Sequence, residues 1–108
     1  MDLISRTEEY ILLTVHQLGD DAYGISIRKQ IENIMGKKFS VGAIYVPLDR
    51  LEEKGHLTST TGAPTSERGG RRKRFFKLTP QGINALLEAR QTTKAFWAAT
   101  PELRIQIP

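Results

Sequence analysis

The spacing of apolar residues predicts two helices in the first third of the chain. In residues 5–18 a polar first turn is followed by apolar residues on more than one side, so we expect this helix to be buried against more than one neighbour. A second helix should run from Tyr23 or Gly24, because apolar residues then recur at intervals of three and four. These residues are Ile27, Ile31, Ile34 and Met35.

A third helix is predicted between Ser40 and Gly55. The Ser40 hydroxyl can accept a hydrogen bond from a first-turn amide, and glycine is suited to the end of a helix. The apolar stripe, assigned to the core, consists of Val41, Ile44, Leu48 and Leu51. On or beside the exposed side lie Gly42, Ala43, Tyr45, Val46, Asp49 and Arg50. Pro47 removes one helical hydrogen bond, so a kink or a shifted first turn is expected there.

Two short strands should follow, at residues 57–61 and 71–78. In the second strand Phe76 and Leu78 share one face, and Phe75 and Lys77 share the other. The intervening loop, residues 62–70, is rich in glycine and is longer than a tight turn requires. The pattern therefore predicts a β-hairpin with an extended tip.

The last helix begins with clear signals, since Thr79 can act as its N-cap and Pro80 fits the first helical position. It should run to about Thr100, where Pro101 ends it. Its large apolar residues are Ile83, Leu86, Leu87, Phe96 and Trp97. A helix of this length extends beyond what the preceding core can cover. We expect one compact unit made of residues 1–78, with this long helix at 79–100 and an unassigned tail at 101–108.

Length and composition fit a single small globular domain. The chain has 108 residues, with a hydrophobic fraction of 39% and a charged fraction of 26%. Because it contains no cysteine and no apolar run long enough for a bilayer, the sequence favours a cytoplasmic protein without a membrane partner.

The order of helix, helix, helix, hairpin and long helix predicts a mainly α (α+β) fold, a winged helix-turn-helix whose hairpin is the wing.

Positive charge is concentrated in the wing. The net charge is +4, but six of the sixteen lysines and arginines lie in residues 68–77, which contain no acid. Such a run can be a solvated tail, a targeting signal or a strand that presents charge to a polyanion. The alternation of Phe76 and Leu78 and the helix cap at Thr79 favour the strand, because a targeting peptide requires neither.

The exposed side of the third helix suits close approach to DNA. A helix that enters the major groove needs small residues where its backbone nears the duplex and a few side chains that reach bases or phosphates. Ser40, Gly42 and Ala43 are small, and Tyr45 offers a ring with a hydroxyl. A merely solvated helix face is the alternative.

Three segments in order resemble the PadR-type winged-helix transcriptional regulators: YGISIRKQIE, VGAIYVPLDRLEEKGHL and ERGGRRKRFFKLTPQG. The resemblance covers roughly residues 8–90. It implies that the recognition-helix motif falls on Tyr45, Leu48, Arg50, Leu51 and Glu52. It also implies that the wing motif falls on Gly69, Gly70, Arg71, Phe75, Phe76, Leu78 and Thr79. Family members often have proline directly after the tyrosine, whereas Val46 intervenes here, so the kink can be displaced by one position.

Together these observations give a set of DNA-binding candidates on the third helix and the wing. They are Ser40, Gly42, Ala43, Tyr45, Val46, Arg50, Arg68, Gly70, Arg71, Arg72, Lys73 and Arg74. The resemblance implies a homodimer joined through the last and first helices. The dimerisation candidates are Tyr10, Leu13, Ile83, Leu86, Leu87, Phe96 and Trp97. Phe96 and Trp97 are either ordinary interface residues or the wall of a pocket for a small aromatic effector.

An enzyme is not predicted. His16 and His56 lie in different elements without metal-ligand spacing, and His16 reads as a helix-surface residue. The adjacent pairs Glu8-Glu9 and Glu52-Glu53 diverge on a helix and cannot share a substrate. We therefore expect no cofactor and no metal. The hypothesis is a dimeric DNA-binding regulator, a repressor rather than an activator, that reads a palindromic site. The alternatives are a winged-helix module that binds an acidic protein and a small-molecule sensor that binds DNA conditionally.

Overall fold

The structure is a computed structural model that describes residues 3–64 and 72–103. Its helices are α1 (Arg6–Leu18), α2 (Gly24–Met35), α3 (Val41–Glu53) and α4 (Pro80–Ala98), with one 3-10 turn at Gly19–Asp21. Strands β1 (Leu57–Pro64) and β2 (Arg72–Leu78) form an antiparallel hairpin between α3 and α4. The predicted class, a mainly helical winged helix with a two-stranded wing, is confirmed.

The predicted helix starts are confirmed by hydrogen bonds. The Ser40 hydroxyl accepts from the Ala43 amide at 3.1 Å, and the Thr79 hydroxyl accepts from the Gly82 amide at 3.0 Å. Gly36 ends α2 with a φ of 71°, in the left-handed region that glycine adopts without steric cost. These local signals act within a few residues, which is why the sequence alone locates them.

The core lies between the first three helices and the base of the wing. Its fully buried side chains come from every one of these elements: Ile11, Leu12, Ile27, Ile44, Leu48, Leu51, Leu57 and Phe76. As predicted, Phe76 faces the core and Leu78 packs against it. The wing is thereby fixed at its base by burial of a large aromatic side chain.

Several sequence-based expectations were wrong in detail. Val41 was assigned to the core, yet it is 54% exposed, and Ile34 and Met35 are exposed although they belong to the apolar stripe of α2. Spacing places a residue on a helix face, but only the neighbouring elements decide how wide a face is covered. β1 continues three residues beyond the predicted Thr61. α3 runs from Val41 to Glu53 and includes the buried Pro47, where the kink stays a prediction.

α4 contacts both α1 and the wing base, and it packs very closely on the wing base at its first turn. The Thr79 amide and hydroxyl donate to the carbonyls of His56 and Gly55 at 3.2 and 2.6 Å. Gly82 packs so closely on His56 that an added Cβ would lie 2.2 Å from its carbonyl oxygen. Beyond this turn only Ala85 is buried within α4. The helix therefore starts against the wing base and leaves most of its length uncovered.

Candidate nucleic-acid interface

The N-terminal half of α3 presents a small and uncharged surface. Gly42 and Ala43 are exposed, and Val41 and Val46 expose 54% and 59% of their surface. The exposed Ser40 directs its hydroxyl to the helix cap, so this group has a structural task as well. Val41 was predicted to lie in the core from its spacing, but it belongs to this exposed surface. Methyl groups of this kind can contact thymine methyls in a major groove.

Gly42 stands out because nothing in the fold requires a glycine there. It lies in the second helical position of α3, and no atom comes within 4 Å of where its Cβ would be. Glycine inside a helix costs about 0.5–1 kcal/mol relative to alanine. The chain therefore carries a destabilising residue in open space, which is understandable if another molecule approaches the backbone closely.

Tyr45 was placed on or beside the exposed side, but the structure gives it an internal contact. Its ring and hydroxyl lie over the first turn of α2, where a Cβ at Gly24 would come within 1.9 Å of the Tyr45 hydroxyl oxygen. The side chain is half-buried as a result. Tyr45 thus spans the angle between α2 and α3, and only part of its surface is open to a partner.

Arg50 is directed towards α1. Its Nε donates to Glu8 Oε2 at 3.4 Å, and Lys54 Nζ donates to the same oxygen at 3.3 Å. Glu8 is buried, and its other oxygen accepts from the Ser5 amide at 2.8 Å. Burial alone would raise the pKa of the Glu8 carboxyl, but these hydrogen bonds and the Lys54 charge outweigh it, so the pKa is lowered. The carboxylate holds the C-terminal half of α3 against α1.

Arg74 belongs to a cluster with Asp49, Glu52 and Ser59, which we term the Arg74 cluster. Arg74 Nη1 donates to Asp49 Oδ1 at 2.9 Å, Nη2 donates to Glu52 Oε1, and Nε donates to Ser59 Oγ at 3.2 Å. Ser59 in turn donates to Glu52 Oε2 at 2.6 Å. The guanidinium also lies 4.8 Å from the ring centroid of Phe76. This candidate for DNA contact is therefore engaged within the protein.

Hydrogen bonds and opposite charges in the Arg74 cluster favour the ionised forms of Glu52 and Arg74. The hydrogen bond from Ser59 and the charge of Arg74 lower the pKa of the Glu52 carboxyl, against the opposing effects of burial and of Asp49. Burial opposes the charge of Arg74, but hydrogen bonds to the two carboxylates raise its pKa. Glu52 and Arg74 are consequently ionised near neutral pH, and with Asp49 the cluster contains two acidic side chains and one basic side chain.

Lys73 lies on the opposite side of β2. It is exposed, with its Nζ 4.3 Å from the ring centroid of Tyr23. Tyr23 also meets Phe75 edge to face at 5.6 Å and forms a single β-bridge with it. Arg72 begins β2. The candidates Arg68, Gly70 and Arg71 lie outside the described residues.

Lys37 and Lys38 were not singled out from the sequence, although they belong beside this surface. Both are exposed in the turn between α2 and α3, directly before the first residues of α3. The signal was available: two adjacent lysines precede the predicted N-cap at Ser40. Lys37 Nζ lies 5.9 Å from the ring centroid of Phe39. These lysines add positive charge at the end of α3 that lacks acidic residues.

A second unusual surface is apolar. On α4 the exposed fractions are 46% for Ile83, 53% for Leu87, 72% for Phe96 and 47% for Trp97. On α1 Tyr10 and Leu13 are also exposed, and they line a groove of about 290 Å³ between α1 and α2. Leu86, another dimerisation candidate, is only partly open because it packs against the core. The structure thus leaves six of the seven dimerisation candidates exposed.

Residues 3–64 and 72–103 contain neither a metal-ligand cluster nor a membrane-spanning helix. Within these residues no group of three or more histidine and carboxylate side chains is arranged to hold a metal ion. None of the four helices is long and apolar enough to cross a membrane.

Comparison with protein families points to regulators of transcription. A family model described as the transcriptional regulator PadR-like family matches residues 11–88, which include α2, α3, the wing and most of α1. Among curated proteins, none matches this sequence.

Solved structures with the same fold agree with the family match. A Thermoplasma acidophilum protein assigned as a transcriptional regulator has a TM-score of 0.70 and 19% identity, over 94% of this chain and 91% of that one. A PadR family transcription regulator from Clostridium difficile R20291 has a TM-score of 0.64 and 25% identity, over 88% and 96%. The RosR protein of H. salinarum has a TM-score of 0.64 and 23% identity, over 95% and 87%.

Proposed function

Since this chain belongs to the PadR-like family of transcriptional regulators and is a DNA-binding regulator, we propose that it acts as a homodimeric repressor at a palindromic operator. The observation that carries the proposal is the exposed surface of Gly42, Ala43 and Val46, which is uncharged and lies between two sources of positive charge. Lys37 and Lys38 precede it, and the wing follows.

In this proposal the N-terminal half of α3 enters the major groove. Small side chains let the helix backbone approach the base edges, and the valine methyls meet thymine methyls. Ser40 lies where the helix begins, so its backbone and the lysines before it can meet a phosphate. The N-terminal end of a helix carries partial positive charge and, like a lysine side chain, can bind a phosphate. Uncharged side chains can instead contact the base edges in the groove.

The wing supplies the flanking contacts. Lys73 is exposed on β2, and Arg68, Arg71 and Arg72 belong to the same basic run of the sequence. Cations in this place can meet phosphates or enter a minor groove. If the dimer neutralises about eight phosphates, the logarithm of the affinity falls with the logarithm of the salt concentration with a slope of about −7.

The homodimer forms through the exposed apolar surface of α4 together with α1. Isolated monomers rarely expose several large apolar residues on one helix, and a second copy of the chain offers the same type of surface in return. Twofold symmetry would then place two α3 helices about 34 Å apart, one turn of DNA. Phe96 and Trp97 lie near the end of α4 and, in the dimer, are the candidates for a pocket that takes a small aromatic effector.

A gel-shift experiment with the DNA upstream of the gene tests the proposal. We expect a retarded complex at low salt, and its stoichiometry should be two chains per duplex. Gly42→Ala is the most informative variant. The added Cβ meets no atom of the protein, so the substitution should stabilise α3 by up to about 1 kcal/mol. It should nevertheless weaken specific binding. Tighter or unchanged binding would exclude a close approach of α3 to DNA.

The alternative is a module that binds an acidic protein through its wing. A chain that fails to retard any duplex at low salt, including a large excess of random-sequence DNA, would favour this alternative. If the protein is a sensor that binds DNA conditionally, planar aromatic compounds should quench the fluorescence of Trp97. The same compounds should change the fraction of DNA that is retarded in the gel. Unchanged fluorescence across a broad set of such compounds would exclude an effector pocket at Trp97.

A further inference from the structure

The DNA-facing side of the protein contains carboxylates at a place where phosphates would repel them. Asp49 and Glu52 lie on α3, one turn apart, and their side chains are 58% and 31% exposed. Both are directed at Arg74 of β2, and the three charges sum to one negative charge. By its charge alone, a negative cluster between a recognition helix and a wing lowers the affinity for DNA. Any second role that favours binding must therefore come from the geometry of the cluster.

Arg74 has the geometry of a fixed group. All three of its nitrogen atoms donate to the protein, and they join three elements: α3 through Asp49 and Glu52, β1 through Ser59, and β2 itself. Its guanidinium rests on the ring of Phe76, the buried residue at the base of the wing. An arginine held by several donors and a ring has lost most of its freedom to turn towards a phosphate.

We propose that Arg74 is a positioning residue that fixes the angle between the wing and α3, and that Glu52 and Asp49 promote specific DNA binding although they are negative. This inference rests on the proposed function, since the angle matters only if α3 and the wing meet one duplex. It differs from the sequence-based prediction, in which Arg74 contacts a phosphate.

The position of the cluster along the wing explains why a second attachment is needed. Phe76 fixes the base of the hairpin, and Arg74 lies two residues nearer the tip, where Thr61 is its partner across the strands. A two-stranded ribbon has little rigidity of its own. Tyr23 contacts Phe75 and Lys73 on the opposite face of β2. Without the Arg74 cluster the wing is therefore held on that face and at Phe76 but not to α3, and a rotation at its base would displace Lys73 relative to α3. The Arg74 cluster restricts this rotation.

The competing account is that Arg74 leaves the carboxylates and binds a phosphate when DNA arrives. The two accounts predict opposite signs for one substitution. Glu52→Gln removes a negative charge and weakens the hold on Arg74, so a phosphate contact would become stronger and binding tighter. If Arg74 positions the wing, the same substitution weakens specific binding, by about fivefold for a half-exposed ion pair.

The experiment measures the affinity of purified full-length variants for two duplexes of about 30 base pairs. One is enriched from a random pool by the wild-type protein, and the other has random sequence. Glu52→Gln should weaken binding to the enriched duplex more than to the random one. Glu53→Gln makes the same change of charge at an exposed position of α3 and should not. Equal or tighter binding by Glu52→Gln, or equal loss in both variants, would overturn the proposal.

Ser59→Ala separates geometry from charge. The hydroxyl links Glu52 and Arg74 and carries no charge, so its loss should weaken specific binding about twofold without any electrostatic effect on DNA. This variant also decides the matter if Glu52→Gln does not fold. Ser59→Ala with wild-type affinity for the enriched duplex would contradict the proposal.

The salt dependence supplies a readout that a purely structural defect does not change. An Arg74 that contacts phosphate in both subunits would make the slope of Arg74→Ala shallower by about 1.8. A positioning Arg74 leaves the slope at the wild-type value while the affinity falls. A shallower slope of this size would overturn the proposal.

Hydrogen exchange tests the same idea without DNA. Peptides that cover residues 57–64 should exchange about threefold faster in Glu52→Gln and Ser59→Ala than in Glu53→Gln, because opening of the wing becomes easier. Equal exchange in all three would overturn the proposal. If the wild-type protein enriches no duplex, the proposed function fails, and this measurement still decides whether the cluster holds the wing.

Discussion

The helices α3 and α4 begin in the same way and finish differently. Each starts at a hydroxyl N-cap, Ser40 or Thr79. α3 then buries Ile44, Pro47, Leu48 and Leu51 and is held at its far end by Glu8. α4 buries only Gly82 and Ala85, while the two aromatic residues near its end remain exposed.

The difference indicates what each exposed surface meets. What α3 leaves exposed at its start is small and uncharged, flanked by lysines, and suits a polyanion whose grooves admit a helix. What α4 leaves exposed is large and apolar, which suits another protein surface and not a nucleic acid. The apolar face of α3 is thus covered by its own chain, whereas the exposed apolar face of α4 is the surface that the proposed dimer would cover.

The largest effect should come from deleting a buried side chain of α3. Leu48 is fully buried, so Leu48→Ala should lower the free energy of unfolding by about 2–5 kcal/mol. Leu87→Ala makes the same chemical change on the exposed face of α4 and should cost less than about 1 kcal/mol in the monomer. Urea unfolding at low protein concentration measures both. Equal losses would erase the contrast between the helices.

The next effect concerns the close packing of the first turn of α4 on His56. A Cβ at Gly82 would overlap the His56 carbonyl oxygen, which is backbone and cannot turn away. Gly82→Ala should therefore destabilise the protein by about 1–3 kcal/mol, despite the better helix propensity of alanine. Gly42→Ala on α3, in open space, is the matched control and should not destabilise. A Gly82→Ala protein with wild-type thermal stability would mean that α4 is not fixed by its first turn.

A charge introduced on the exposed apolar face of α4 should weaken self-association. Phe96→Asp places a carboxylate where the proposed dimer buries a ring, and it should weaken self-association at least about tenfold. Lys94→Ala, at an exposed position of the same helix, serves as the control. Sedimentation equilibrium gives the dimer dissociation constants. Unchanged association in Phe96→Asp would remove the end of α4 from the interface.

The smallest effect concerns the attachment of α3 to α1. The lowered pKa of Glu8 means that its carboxylate stabilises the fold above the ordinary value of 4.5, and this contribution is lost as the pH falls below it. Glu8→Gln should cost about 1 kcal/mol at pH 7. Its stability should also fall less on acidification than that of the wild type. Glu53→Gln should keep the wild-type pH profile in the same denaturant titration, and identical profiles for all three proteins would contradict the role of Glu8.

Much of the candidate site could be predicted from the sequence, but the contacts of Arg50 and Arg74 could not. Alternation along β2 placed Phe76 and Leu78 towards the core. The same period of two puts Arg74 on that face, a signal that the density of positive charge in the segment obscured. Arg50 lies on or beside the exposed side by its position in α3, yet it reaches Glu8, which is forty-two residues away in the chain.

The sequence by itself determined the order of the elements, the N-caps of α3 and α4, the buried face of β2, most of the buried face of α3, and the family resemblance. These depend on hydrogen bonds and periodicities that extend over a few residues. The tertiary structure alone decided that Arg74 is joined to Asp49 and Glu52, 25 and 22 residues away, that Tyr45 packs on Gly24, and that Val41 is exposed. A charge or an apolar side chain acquires its role from the neighbours that folding brings to it, and spacing along the chain does not contain that information.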